Sequence, residues 1–295
     1  MLDFRTETFL AVCRHMNYTK AAEELNITQP AVSQHIKYIE EYYGIKVFGF
    51  NGKKMFLTEE GKMLFEAIST MKHNDKFLRD TVKNLKNKGT ALSFGATLTI
   101  GEYVIPEKLS AYLKKHPDSK VHLTIANTKQ LLEMLDKGEI DFAVVEGYFE
   151  KNRYDHIICS QENYTALCHP CHPFAEKHML LEELFSQTLI LREEGSGTRE
   201  ILKRSLEEKN FGIWDFKNVI ELSNINAVKT LAENGCGITF LYEATVKQEL
   251  QKGTLKKIYA DDLISQHEFT FIWRKNSIFS DYYKTIYENL INTAL

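Results

Sequence analysis

With 295 residues, 43% of them hydrophobic, the chain is long enough for two or more domains with real cores. A formal net charge of -3 excludes a uniformly basic nucleic-acid binder, so any DNA affinity must come from locally placed lysines: Lys20, Lys37, Lys53 and Lys54. The early apolar run Phe9, Leu10, Ala11, Val12, Cys13 is too short for a secretory signal and no stretch fits a membrane span. Five cysteines, an odd number, argue for free thiols in a reducing cytoplasm.

Residues 17–43 read as two short helices around a tight corner. Thr19 is placed to cap a helix through Leu25, with Ala21 and Ala22 permitting close contact, and Asn26 and Ile27 turn the chain. Thr28 is placed to cap the next helix, with Pro30 in its first turn, where a missing N–H costs little. Along that helix Val32, Ile36, Ile39 and Tyr43 form an inward stripe, while Gln29, Ser33, Gln34 and Lys37 fall on another side. Gln pairs two hydrogen bonds with adenine, Ser exchanges them with bases or phosphate, and Lys neutralises phosphate. A plain amphipathic hairpin with a solvated polar face satisfies the same spacing. A DNA reading further requires Glu23, Glu24, Glu40 and Glu41 to face away from phosphate.

Val47, Phe48 and then Met55, Phe56, Leu57 are apolar runs separated by Gly49, Asn51, Gly52, Lys53 and Lys54, the pattern of a β-hairpin wing with a basic tip. Lys53 and Lys54 there would add phosphate affinity without reading sequence, although paired lysines on a turn also serve solubility alone.

The ordered set Ala21-Ala22-Glu23-Glu24-Leu25, Thr28-Gln29-Pro30-Ala31-Val32-Ser33, Ile36, Glu40 and Leu57-Thr58-Glu59-Glu60-Gly61 resembles the winged helix-turn-helix of LysR-type transcriptional regulators. The resemblance continues through nearly the whole chain. It implies a bacterial regulator of α+β multidomain class: a winged helix-turn-helix (1–58) binding promoter DNA, a dimerisation helix (59–88) and a two-lobed, periplasmic-binding-protein-like effector domain (89–295). One departure is Gly49 and Phe50, where the family usually carries arginines, so this wing is less basic.

From Thr58 to Leu85 the sequence predicts one long helix. Leu64, Met71, Leu78 and Leu85 stand at heptad spacing, Ile68 and Val82 on the neighbouring seam and Asp75 at a seam position that can fix register. Self-association as a homodimer or homotetramer is expected, since a helix-turn-helix usually reads paired half-sites; a surface helix of a larger domain is the alternative. Lys83, Lys86, Lys88 and Gly89 mark the exit.

Strands at 92–96, 121–126 and 142–145 alternate with helices running toward Lys115 and Lys137, and a second block repeats the theme. There, strands 188–191, 219–222 and 238–241 enclose helices 198–208 and one through Ala232. The chain is expected to cross between lobes near 159–162 and return near 264–267, then form a strand 269–273 and a helix 278–290. This places lobe I at 91–160 and 267–295, lobe II at 161–266, and a ligand cleft between them.

Four strand-to-helix junctions carry hydroxyls or amides: Thr97 and Thr99, Asn127 and Thr128, Ser196 and Thr198, Ser223 and Asn224. Each alone reads as simple N-capping. Together, on two lobes, they suit a small anion such as a carboxylate or a sulfate-like ion, held without metal, catalytic base or other cofactor. By resemblance, Thr97 and Thr99 match first-lobe effector contacts, and the turn from Ser196 to Thr198 matches a contributing second-lobe helix end. Arg199 is placed either to clamp a carboxylate or to pair with Glu193, Glu194 or Glu200. The stretch LREEGSGTRE is also similar to regulators of sulfur assimilation or cysteine synthesis.

Cys168-His169-Pro170-Cys171-His172 is dense in zinc ligand types, but no second cluster follows at the usual spacing, and His172-Pro173 matches a family turn. Cys13 and Cys236 read as small core residues, and Cys159 falls near the crossing. Nucleophile-elbow, phosphate-loop, zinc-helix and dinucleotide motifs are missing, so an enzyme is not expected. The alternative is a two-lobed small-molecule binder or enzyme with a thiol or metal site at Cys168 to Cys171. The expected partners are double-stranded promoter DNA, a small anionic co-inducer, further copies of the chain and RNA polymerase, with no membrane.

Overall fold

A computed structural model describes residues 3–52, 54–85, 91–263 and 266–292, with side chains in the long helix described through residue 82. The first three helices are α1 (Phe4–His15), α2 (Tyr18–Leu25) and α3 (Gln29–Tyr43). Asn17, not Thr19, caps α2: its extended backbone lets the side chain accept from the Lys20 N–H at 3.1 Å, while Thr19 lies exposed inside the helix. Asn26 ends α2 in the left-handed region at φ 54°, a conformation asparagine tolerates. Thr28 caps α3 by accepting from the Ala31 N–H at 3.4 Å, and Pro30 sits in the first turn. Val32, Ile36 and Ile39 are buried against Phe9, Leu10, Val12, Ala21 and Ala22. Tyr43 departs from the expected stripe: it is 49% exposed, because Gly44 turns the chain at φ 67° directly after it and the stripe's last position lies past the core.

The wing is an antiparallel pair, β1 (Phe48–Asn51) and β2 (Lys54–Leu57), with Gly49 opposite Phe56. A Cβ on Gly49 would stand 2.5 Å from the Phe56 ring, so the ring occupies the space that a side chain at position 49 would need. Lys53 lies outside the described residues.

Helix α4 (Glu59–Leu85) has two covered stretches and one open stripe. Leu64 and Ile68 are buried in the helix-turn-helix core, so Leu64 serves its own domain rather than a seam. Further along, His73, Asn74 and Phe77 are buried against the C-terminal half. The Ser277 hydroxyl meets Asn74 Oδ1 at 2.7 Å, and the Phe77 ring lies 4.5 Å from that of Phe279. Met63, Met71, Leu78 and Val82 stay exposed along one side, with Asp75 among them in an ion pair to Arg79 at 2.7 Å. The Leu85 side chain lies outside the described residues.

The C-terminal half runs β3 (Ala91–Ala96), α5 (Leu98–Tyr103), α6 (Ile105–Lys115), β4 (Lys120–Ile125), α7 (Thr128–Asp136), β5 (Phe142–Glu146) and β6 (Tyr154–Cys168). It continues with β7 (His178–Met179), β8 (Thr188–Arg192), α8 (Gly197–Glu207), β9 (Asn218–Leu222), α9 (Ile225–Glu233), β10 (Ile238–Tyr242), α10 (Glu243–Lys252), β11 (Lys256–Ala260), β12 (Gln266–Arg274) and α11 (Ser280–Ile286). The path β4-β3-β5-β12-β6-β10-β8-β9 is parallel at each end and antiparallel around β6 and β12. Both faces of β5 and β10 are covered, as their continuous apolar runs require. Stacking of Phe94 on Phe142 and Phe142 on Phe271, at 4.9 and 4.7 Å, fixes one core, each burial contributing roughly 1.5–3 kcal/mol.

Where the sequence pointed to a short crossing, β6 is one 15-residue strand: residues 154–163 pair with β12 and residues 164–167 with β10. Phe269 pairs with Ser160 and Thr270 with Ile158, leaving Cys159 as the extra residue of a bulge. The last helix starts at Ser280 rather than Ile278, which is exposed in the preceding turn.

Candidate DNA interface and effector cleft

Gln29, Pro30, Ser33, Gln34 and Lys37 are exposed on α3, opposite its buried stripe, and Lys54 is exposed on the wing. Thr28 is spent on the cap, and Thr19 and Lys20 are exposed on α2. Two of the acids are held by other groups. Glu24 pairs with Arg14 and, at 2.7 Å, with His15; Glu40 accepts from the Val47 N–H at 3.1 Å and pairs with Lys46 at 2.5 Å, tying α3 to the base of the wing. Glu41 stays near the reading face, 3.6 Å from Lys37.

In the C-terminal half, the four junctions divide. Asn127 and Asn224 act as caps, accepting from Gln130 and Ala227 N–H groups at 3.0 Å each. Thr97 and Ser196 also sit at N-cap positions, but make no side-chain cap bond and are almost fully buried. Around the end of β5 the structure gathers Thr97, Thr99, Thr128, Ser196 and Thr198. The Thr97 N–H donates to Val144 O at 3.1 Å and the Thr128 hydroxyl to Glu146 O at 3.0 Å. Ser223 and Asn224 are exposed and stand outside this cluster. Their helix meets α5 elsewhere, where the Tyr103 hydroxyl donates to Asn226 Oδ1 at 2.9 Å.

At the centre of the cluster is a residue that the sequence reading passed over. Glu146 is 1% exposed; its Oε1 accepts from the Thr198 hydroxyl at 3.0 Å, and burial pushes its carboxyl up to about 7. Glu146 Oε2 and the hydroxyls of Thr97 and Thr99 have no hydrogen-bond partner among the described residues, although Thr99 faces the same carboxyl. A Cβ on Gly197 would stand 2.5 Å from Glu146 O, so only glycine lets the start of α8 approach β5 this closely. Beside this contact a groove of about 590 Å³ is lined by Thr128, Lys129, Tyr148, Ser196, Gly197 and Arg204. Arg199 does not clamp into it. Its guanidinium pairs with Glu221, none of the three acids expected, and donates to Arg192 O at 3.3 Å, because α8 turns that side toward β9. The buried guanidinium is instead Arg192, held by Glu193 at 2.8 and 3.0 Å. Tyr164 donates to Thr198 O at 2.9 Å. The one sequence signal for Glu146 was a lone acid closing the apolar strand Phe-Ala-Val-Val.

In the Cys/His segment, His169 accepts from the Cys171 N–H at 3.1 Å and His172 from the Phe174 N–H at 3.2 Å, so both imidazoles hold the turn. Cys168 is buried and Cys171 exposed, and among the described residues no three His, Cys, Asp or Glu side chains gather as metal ligands. Cys236, expected in the core, is exposed beside the Gly235 turn, whereas Cys13 packs on the N-terminal core.

A winged reading helix, a long helix with an open apolar stripe and two α/β lobes around a polar cleft define a ligand-responsive DNA-binding regulator. The chain belongs to the LysR family: residues 5–62 match the bacterial regulatory helix-turn-helix protein, lysR family, and residues 87–291 match the LysR substrate binding domain. It is 30% identical over 261 residues to an HTH-type transcriptional regulator of Methanocaldococcus jannaschii, covering 87% of each chain. It is also 30% identical over 273 residues to the HTH-type transcriptional activator CmpR of Synechocystis, covering 92% of this chain and 88% of CmpR. The fold matches a hydrogen peroxide-bound OxyR mutant of Corynebacterium glutamicum (TM-score 0.61, 21% identity, 98% and 91% covered). It also matches the Synechocystis CcmR regulatory domain in complex with 2-PG (TM-score 0.62, 21% identity, 70% and 97% covered). The protein is a LysR-type transcriptional regulator whose DNA binding is modulated by a small effector. Among the described residues no helix is long and apolar enough to cross a membrane.

Proposed function

We propose that this regulator works in the cytoplasm as a homodimer or a dimer of dimers and carries out no catalysis of its own. Residues 1–58 bind promoter DNA, 59–88 pair the subunits, and 89–295 sense the effector. In this reading Gln29, Ser33 and Gln34 meet base edges in the major groove, while Lys37, Lys53 and Lys54 meet phosphate. The observation that carries it is the exposure of Ser33 and Gln34 on the side of α3 opposite its buried stripe. The open row Met63, Met71, Leu78 and Val82 supports pairing through α4, which sets the spacing of two reading helices.

The effector in this reading is a small anion reaching Thr97, Thr99, Thr128, Ser196 and Thr198 between the lobes, lobe I being 91–160 and 267–295 and lobe II 161–266. The Ser196 hydroxyl, which makes no cap bond at the start of α8, and the unpartnered Thr97 hydroxyl support an anion there. The effector changes the half-site spacing or DNA bending and thereby the approach of RNA polymerase. The sulfur-metabolism subgroup rests on the 191–200 stretch alone. The test is a promoter fragment containing a dyad. Retardation that weakens steeply with salt and is reduced by Ser33→Ala with Gln34→Ala is the expected result, and equal binding to any fragment would sink the proposal.

A further inference from the structure

This inference deepens the anion reading of the cleft and rests on it. Glu146 already places a carboxyl where an anion would bind, against the first turn of the 11-residue helix α8, with the Thr99 hydroxyl facing that carboxyl and the unpartnered Thr97 hydroxyl nearby. A second negative charge in that buried site meets repulsion that water does not screen. One proton on Glu146 Oε2, the oxygen without a partner, removes the repulsion and turns an acceptor into a donor aimed at the incoming ion.

The remaining groups around the carboxyl do not supply that proton. Arg192 at the end of β8 is the cation whose field acts on Glu146, and it is held in a two-point pair by Glu193. Tyr164 on β6 and Tyr242 on β10 face the carboxyl. Burial, with Glu146 adding to it, holds both phenols well above their usual value, so neither ionises near neutrality. His267 on β12 stands edge-on to Tyr164, with ring centroids 5.8 Å apart.

We propose that Glu146 is the specificity-determining residue of the cleft, admitting a small oxyanion only together with one proton that the carboxyl takes up. The site then discriminates against ammonium-bearing ligands, which favour the ionised carboxyl. Its upward displacement to about 7 means that the protonated form is accessible near neutral pH.

The test uses the full-length protein with sulfate and acetate as probes, both fully ionised between about pH 6 and pH 8. Calorimetric titration in two buffers of different ionisation heat reads the protons taken up. At about pH 8 the expected result is uptake of nearly one proton per ion, with affinity strengthening about tenfold per pH unit as pH falls toward the carboxyl's titration point. Glu146→Gln, which mimics the neutral acid, should bind with no uptake and no pH dependence. Binding without uptake in the unaltered protein overturns this inference and leaves the anion reading standing, and that measurement decides even if the variant does not fold. Tighter binding at high pH, or loss of binding in Glu146→Gln while its circular dichroism is unchanged, also overturns it. Failure of both ions to bind either protein at any pH overturns the anion reading itself, and this inference with it.

Discussion

The two regions proposed to face ligands are built on opposite principles. On α3 the polar side chains stand in solvent, the helix ends are capped within the segment, and the first core lies directly beneath. At the end of β5 the polar side chains are buried, and several oxygens have no partner among the described residues. Each such buried, unpaired atom costs on the order of 1–3 kcal/mol, a cost that a ligand hydrogen bond relieves. The proposed reading face is exposed and capped as it stands, whereas the proposed effector site keeps buried oxygens that a ligand can pair.

The largest effect should come from the helix joining the regions. Leu78→Asp puts a charge in the open stripe of α4; sedimentation should show monomers and promoter affinity should fall by roughly 100-fold or more, since two half-sites no longer bind together. A dimer of unchanged strength would remove α4 as the pairing surface. Next, Ser33→Ala with Gln34→Ala should weaken promoter binding by about 1–3 kcal/mol. Thermal stability should move by no more than about 0.5 kcal/mol, because both side chains are exposed. In the cleft, Gly197→Ala should do the reverse, lowering stability by about 1–3 kcal/mol while promoter affinity without effector stays close to normal. Matching losses in both assays, for either variant, would erase the contrast.

The regions also differ in the sign of their pH response. Glu146 titrates near 7 when folded, above its ordinary 4.5, so the folded state binds the extra proton. Its contribution is complete below the unfolded value and is lost as pH rises through about 7. His73, on α4 and buried against the C-terminal half, donates to Ile140 O at 3.2 Å and is pushed down to about 4 by burial, so the unfolded state binds the extra proton. Stability from this group is complete above about 6.5 and declines as pH falls toward 4. Glu146→Gln should flatten the alkaline limb of a denaturant-midpoint profile and His73→Gln the acid limb, each by about 1–3 kcal/mol. The smallest effect is expected for Lys37→Ala, which should reduce the logarithmic salt dependence of promoter binding by about one unit, less if the pair with Glu41 persists on DNA.

The same contrast explains what the sequence disclosed. Thr28, Pro30 and the Val32, Ile36, Ile39 stripe act within a few residues of one another, so spacing alone located the buried stripe of α3 and the exposed side opposite it. The cap of α2 slipped from Thr19 to Asn17 because two suitable residues lay within one turn, and only the backbone chooses between them. Strand and helix alternation located lobes and junctions, but which hydroxyls cap and which stay free depends on whether another lobe covers them. Glu146 meets Thr198 across 52 positions and Arg192 enters from a second strand, pairings with no local signature. For the same reason α4 looked like a simple heptad seam, although its apolar positions are split between the N-terminal core, the C-terminal half and an exposed stripe.

The continuous strand β6 has a mechanical consequence. Because one continuous strand pairs first with β12 and then with β10, the lobes cannot swing apart as doors on a loop without tearing backbone bonds. Winding of the shared ribbon is a motion that leaves this pairing intact, and the surplus residue at Cys159 already interrupts its ladder. An effector signal in this architecture therefore travels as torque.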